Sequence, residues 1–130
     1  MPRLVKLGTA LAAAAALLPA IDAAATGDTA NAVPSALARC DLAGQDRRLG
    51  PTYVTALRVE NISCATAKRL VRAYYSCRVR NGGRKGTCRS TVLGYRCRER
   101  RLDAIETQFD ATVTCTRGNR RVNHGYTQFT

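Results

Sequence analysis

Residues 61–78 have the sequence N-I-S-C-A-T-A-K-R-L-V-R-A-Y-Y-S-C-R, with a cysteine near each end. Apolar side chains recur in it at the spacing of one face of an α-helix, and most cationic side chains fall outside that face. The apolar positions are Cys64, Ala67, Leu70, Val71, Tyr74 and Tyr75. Asn61 or Ser63 can cap the helix by accepting a hydrogen bond from an N–H of its first turn. The pattern predicts one amphipathic helix that packs on an apolar surface.

Alternating patterns on both sides of this helix predict strands. Residues 53–59 alternate before it, and residues 90–99 and 104–116 alternate after it, with a charged turn at 98–103. Gly118-Asn119 marks a hairpin turn, and residues 121–129 return as the last strand. This order predicts an α+β domain in which one amphipathic helix packs on a small twisted antiparallel sheet of about four strands.

The N-terminal residues predict export. A short basic head containing Arg3 and Lys6 precedes an apolar run over 7–21, and Ala23-Ala24-Ala25 supplies a small-residue cleavage site. The alternative is a retained membrane anchor, but the run is shorter than the roughly 20 residues that a span needs. We therefore expect a secreted monomer with no transmembrane segment in the mature chain.

The chain divides into a signal peptide at 1–25, a flexible leader at 26–36 and a single disulfide-stabilised domain at 37–130. All six cysteines lie in the domain: Cys40, Cys64, Cys77, Cys88, Cys97 and Cys115. An even number of cysteines after a signal peptide predicts three disulfides. A metal site is the alternative, and the single histidine and the lack of a C-x-x-C pair argue against it. We expect no metal and no cofactor.

Three short motifs occur in order along the domain: I-S-C-A-T-A-K-R-L-V at 62–71, G-Y-R-C at 94–97 and V-T-C at 113–115. Together they resemble a group of small secreted, cysteine-containing proteins of actinobacteria that have no assigned function. The resemblance implies a single extracytoplasmic domain and supplies no catalytic residues. It also implies a disulfide between the cysteine at the helix start and the one after the Gly-aromatic pair, which are Cys64 and Cys97 here.

Six cysteines can pair in many ways, and the sequence alone leaves the choice open. The preferred set is Cys64–Cys97, Cys77–Cys88 and Cys40–Cys115. The first would tie the helix start to the sheet, the second would close a glycine-rich loop, and the third would fasten the N-terminal segment to the long strand.

The chain is strongly basic, with 21 Lys and Arg against 9 Asp and Glu and a net charge of +12. Such a charge favours anionic partners, although an arginine-rich composition alone would produce it. The densest cluster of cations begins at the glycine-rich loop over 78–89 and continues into the strand that follows. We predict a binding surface there, formed by Arg78, Arg80, Arg84, Lys85, Arg89, Arg96 and Arg98.

The predicted partner of this surface is an anionic polymer or surface of the cell envelope or the extracellular space, bound with release of counterions. Aromatic residues for base stacking are sparse, so we do not expect sequence-specific nucleic-acid recognition. The alternative is a protein ligand or inhibitor that uses the loop to bind an unidentified protein.

A third hypothesis is a small basic hydrolase similar to a ribonuclease. It would use His124, the sole histidine, as a general acid–base, Glu106 as its partner and Arg120 or Arg121 as a phosphate clamp. We favour the simpler interpretation of His124 as a surface or edge-strand residue. The sequence therefore predicts a non-enzymatic interaction module with no catalytic residues.

Overall fold

The computed structural model of the protein describes residues 36–130, so the predicted signal peptide and almost all of the predicted leader lie outside the described residues. Within this range there are five strands and one α-helix, and the α+β prediction is confirmed with one strand more than expected. The elements are β1 Ala38–Arg39, β2 Tyr53–Glu60, α1 Cys64–Arg80, β3 Arg96–Leu102, β4 Gln108–Arg117 and β5 Arg120–Phe129. None of the described helices is both long enough and apolar enough to cross a membrane.

The five strands form one antiparallel sheet in the order β1-β2-β5-β4-β3. β5 is the central strand, and β1 and β3 are the edges. β1 was not predicted, because two residues are too few to show an alternating pattern. It pairs with β2 through Ala38 opposite Val59 and Arg39 opposite Arg58.

The strand predicted at 90–99 begins later and extends further than expected. Val92–Tyr95 form a tight turn, and β3 follows at Arg96–Leu102, through the predicted charged turn. The prediction was wrong because this strand carries charged residues on both faces. Its inner face is nevertheless partly buried, because Arg101 donates a hydrogen bond to the Glu99 carboxylate there.

Helix α1 begins where the capping pattern places it. Ser63 has extended backbone angles, and its hydroxyl accepts a hydrogen bond from the Thr66 N–H at 3.2 Å. Asn61 has a different role, because its side chain donates to the carbonyl of Asn119. The helix buries Ala67, Leu70, Val71, Tyr74, Cys77 and Arg78. The apolar stripe is thus confirmed at four of its six predicted positions, whereas Cys64 and Tyr75 are only partly buried and the stripe ends on a buried arginine.

The core lies between α1 and the inner face of the sheet. Alternate residues of β4 and β5 are buried there, including Ala111, Val113, Val122 and Tyr126, together with Val54, Leu57 and Val59 of β2. Full burial of a valine or leucine side chain contributes about 1.5–3 kcal/mol. Because side chains alternate along a strand, the same three strands leave a polar outer face uncovered by the helix.

The three disulfides are Cys40–Cys64, Cys77–Cys88 and Cys97–Cys115. The predicted Cys77–Cys88 bridge is confirmed, whereas Cys64–Cys97 and Cys40–Cys115 are wrong. Cys97 and Cys115 lie directly opposite each other in the β3–β4 register, with Cα atoms 4.0 Å apart. Cys40 follows β1 and lies beside the helix start, so Cys64 pairs with it. The pairing therefore depends on the strand register, which the sequence does not reveal.

Candidate functional site

Arg78, the first residue of the predicted binding surface, is completely buried at the C-terminal end of α1. Its Nη2 donates to the carbonyl of Arg84 at 2.7 Å, and its Nε donates to the carbonyl of Gly86 at 3.3 Å. The same Nε lies 3.5 Å from the Glu99 carboxylate. Arg78 therefore cannot contact a ligand at the surface. It holds the glycine-rich loop against the helix end.

Glu99 is the centre of this buried network. Its Oε2 accepts hydrogen bonds from the hydroxyls of Tyr74 at 2.8 Å and Tyr126 at 2.7 Å, and its Oε1 accepts from Arg101 Nε at 2.7 Å. Burial raises the pKa of Glu99, but these hydrogen bonds and the charge of Arg78 outweigh it and hold the pKa below its ordinary value. Burial and the nearby carboxylate raise the pKa of both tyrosines. The carboxylate is thus ionised and the phenols are neutral.

The loop over 78–89 is built on the two arginines of this network. Arg101 donates to the carbonyls of Lys85 at 3.0 Å and Gly86 at 2.6 Å, beside the bonds from Arg78. Gly86 has no room for a side chain, because a Cβ there would lie 2.1 Å from the carbonyl oxygen of Arg78. The backbone of the loop is therefore held in place, while four of its cationic side chains remain exposed: Arg80, Arg84, Lys85 and Arg89.

The remaining predicted residues, Arg96 and Arg98, point away from this network. Side chains alternate along β3, so Cys97, Glu99 and Arg101 face the helix, and Arg96, Arg98 and Arg100 are exposed on the outer face. Alternate residues on one strand face are about 6.7 Å apart. The seven predicted residues thus fall into three groups: one buried, four on the loop and two on the outer face of the sheet.

The outer face contains cationic residues from four of the five strands, and we call this set the arginine face. Its members are Arg39, Arg58, Arg96, Arg98, Arg100 and Arg121. All six are exposed. Between them, β4 contributes an exposed floor of Thr112, Thr114 and Thr116.

One row of the arginine face crosses the whole sheet. The pairing registers place Arg98 opposite Thr114, Thr114 opposite Asn123, Asn123 opposite Arg58, and Arg58 opposite Arg39. Four strand spacings of about 4.8 Å make the row about 19 Å long.

Arg39 and Arg58 are therefore directly opposed cations. Like charges in directly opposite positions of an antiparallel pair are destabilising. Within residues 36–130, neither guanidinium forms a salt bridge. Arg39 also lines an open cleft of about 560 Å³, together with Asp41 and Thr55 among others. An anion bound between the two guanidinium groups would relieve their repulsion.

Few carboxylates neutralise the arginine face. Glu60 lies 3.9 Å from Arg121 at one end, and Asp110 accepts a hydrogen bond from Thr127 toward the other end. Four members were not part of the predicted binding surface: Arg39, Arg58, Arg100 and Arg121. The alternation of arginine at 96, 98 and 100 indicates that Arg100 shares a strand face with Arg96 and Arg98. The other three join the arginine face only through strand pairing.

His124 lies on the inner face of the central strand and is 3% exposed. Its ring packs edge-on against Tyr74 at 5.7 Å and is stacked with Tyr126 at 6.0 Å. Neither ring nitrogen has a hydrogen-bond partner among the described residues. Burial lowers the pKa of His124 to about 4, although the charge of Glu99 opposes this. The interpretation as a surface or edge-strand histidine is therefore wrong, because the residue belongs to the core.

The other residues of the hydrolase hypothesis are not brought to His124. His124 pairs with Val113, whereas Glu106 is exposed and precedes β4, which begins at Gln108. From Gln108 to Val113 the strand runs about 16 Å. Arg120 and Arg121 are exposed at the start of β5. The described residues also contain no group of three His, Cys, Asp or Glu side chains that could hold a metal ion.

Comparison of the chain with protein-family models, curated proteins and solved structures found no match.

Proposed function

We propose that this protein is an extracellular, non-enzymatic domain that binds a polyanionic chain along the arginine face. The observation that carries the proposal is the row in which Arg39 and Arg58 oppose each other and Arg98 lies at the far edge. Three disulfides in so small a domain are typical of proteins exposed to an oxidising compartment and support the extracellular location.

The position of Arg58 favours a binding role over a simpler explanation. Charged side chains on edge strands prevent unwanted pairing between sheets, and this would account for Arg39 on β1 and for the arginines of β3. At Arg58, however, β2 is paired on both sides, with Arg39 of β1 and Asn123 of β5, although β1 covers only Arg58 and Val59. A position that is paired on both sides needs no such protection, so edge protection does not explain why Arg58 lies opposite Arg39.

The floor of the arginine face indicates what kind of polymer it suits. Three exposed threonine hydroxyls can hydrogen-bond to a hydroxylated chain, while the arginines pair with its charges. The rows around them offer no aromatic platform on which bases could stack, since Tyr53 lies at one end and packs on Phe129. The proposed ligand is therefore a sugar- or polyol-based polymer with repeated anionic groups.

The proposal is tested by two charge-matched triple variants. The row variant is Arg39→Gln with Arg58→Gln and Arg98→Gln, and the loop variant is Arg80→Gln with Arg84→Gln and Lys85→Gln. Each removes the same charge, but only the row variant alters the arginine face. Binding of fluorescent dextran sulfate would be measured over a range of salt concentrations, with uncharged dextran as the control polymer.

We expect the row variant to bind roughly 100-fold more weakly at low salt, at about 1 kcal/mol for each lost contact. Its slope of log Kd against log salt concentration should fall by about 2 to 3, since each neutralised anion releases about one counterion. The loop variant should retain most of its affinity. An equal loss in both variants would mean that net charge alone determines binding and would refute the assignment to this face.

A further inference from the structure

The turn that precedes β3 places a leucine in a backbone conformation that suits it poorly. Val92 and Tyr95 exchange two backbone hydrogen bonds of 2.8 and 2.9 Å and enclose only Leu93 and Gly94. Both enclosed residues have positive φ, 50° at Leu93 and 78° at Gly94. Two-residue turns of this kind prefer Asn-Gly, because a branched apolar residue is strained in the left-handed region.

Leu93 is also exposed. Val92 and Tyr95 are buried, whereas 57% of Leu93 is accessible to solvent. The other residues besides glycine with positive φ, Asn61 and Asp103, are of types that tolerate this conformation. Asparagine at position 93 would remove both the strain and the exposed apolar surface. Strain of this kind is concentrated at sites of function.

Leu93 lines two clefts beside helix α1. One cleft, of about 490 Å³, has an apolar floor that includes Leu70 and Tyr95. The other, of about 420 Å³, is lined by Val92 and Cys77 among others, and both clefts reach Ala73 on the helix.

The rim of the larger cleft is cationic. Arg69, Arg117 and Arg120 line it, and no carboxylate lines either cleft. Arg117 also donates a hydrogen bond of 3.4 Å to the carbonyl of Leu93 and packs over Gly94, so the turn and the cationic rim are held together. These arginines are not members of the arginine face.

We propose that Leu93 and its two clefts form a second binding site, for an acidic peptide segment of a protein partner. An apolar side chain of that segment would pack against Leu93 and enter the larger cleft. Its carboxylates would pair with Arg69, Arg117 and Arg120. A polysaccharide has no apolar side chain to fill this floor, so the site is chemically distinct from the proposed polymer site.

The test uses the variant Leu93→Asn and a short synthetic peptide of glutamate and serine with one central leucine. Asparagine relieves the strain of the turn, so we expect the variant to melt about 4 °C or more above the wild type. We expect it to bind the labelled peptide about tenfold more weakly in fluorescence anisotropy. A gain in stability together with a loss of binding cannot result from misfolding.

Two controls separate this site from others. Ile105→Asn removes a different exposed apolar side chain, which is 63% accessible, and should leave peptide binding unchanged. The row variant of the arginine face should also bind the peptide normally, whereas Arg69→Gln with Arg120→Gln should not. Undiminished binding by Leu93→Asn would overturn the proposal. So would equal binding of a peptide whose central leucine is replaced by serine, because the protein would then recognise charge alone.

Discussion

On the inner face of β3, Arg101 contacts a buried carboxylate and two backbone carbonyls, whereas on the outer face Arg98 lies exposed in a row of cations. The two residues are three positions apart on one strand, but they face opposite sides of the sheet. On the inner face each guanidinium is bound by protein groups and stabilises the fold. On the outer face, Arg121 lies 3.9 Å from Glu60, whereas the other five guanidinium groups form no salt bridge within residues 36–130, so their charge is available to a ligand. The composition of the segment does not distinguish these roles, but the alternation of the strand does.

The largest effect should come from breaking the inner network. Glu99→Gln removes the charge that compensates the fully buried Arg78 and leaves Arg101 without its anion. Removing one partner of a buried ion pair costs about 3–5 kcal/mol. Chemical denaturation should show this loss in the free energy of unfolding. A cost below about 1 kcal/mol, as expected for an exposed ion pair, would contradict the description of the network as buried.

A smaller effect on the same face should appear as a dependence of stability on pH. His124 has a folded pKa of about 4 and an unfolded pKa near 6.5, so the unfolded chain takes up a proton first as pH falls. Its neutral form therefore contributes stability that is complete above about pH 6.5 and lost as pH falls toward 4. Between pH 7 and pH 5 we expect a loss of roughly 2 kcal/mol.

His124→Phe provides the control, because this is the only histidine in the chain and its ring makes packing contacts alone among the described residues. The variant should fold and should show a nearly flat free energy of unfolding between pH 7 and pH 5. Persistence of the wild-type slope would show that another group titrates. Below about pH 4.5 both proteins should lose stability, because Glu99 has a lowered pKa and its protonation then disrupts the network.

The smallest effect, with the opposite sign, should come from the outer face. Arg58→Thr removes one of two directly opposed cations and places a β-branched residue on an interior strand. We expect the free energy of unfolding to increase by about 0.2–1 kcal/mol in the absence of polymer. Urea titration with Arg39→Thr as the companion variant would measure the gain. A loss of stability in either variant would show that the opposed pair has an internal partner.

Local patterns were sufficient to predict the helix, its cap and the outline of the sheet, because Ser63 and the apolar stripe act within a few residues of each other. The sequence prediction places Arg78 at the surface, although it lies four residues after Tyr74, on the same helical face. Its position on the apolar face of the helix is the signal that Arg78 is buried. Glu99, the single acid within the densest cationic segment, was a second signal of a buried pair.

The rest could not be predicted because it depends on which strands are neighbours. The Cys97–Cys115 bridge follows from the β3–β4 register, and the Arg39–Arg58 opposition follows from a two-residue strand that has no sequence pattern. Neither feature is encoded by residues close together in the chain. The candidate site was therefore placed partly on the loop, although strand pairing assembles the cations on the outer face.

The difference between the inner and outer arginines is tested most directly by mapping polymer contacts on the protein. Backbone amide NMR spectra would be recorded during titration with dextran sulfate. We predict the largest shifts at Arg39, Arg58, Arg98 and Thr114, with small changes at the loop residues 80–89. Shifts that are confined to the loop, or spread evenly over all exposed arginines, would contradict the assignment of binding to the arginine face.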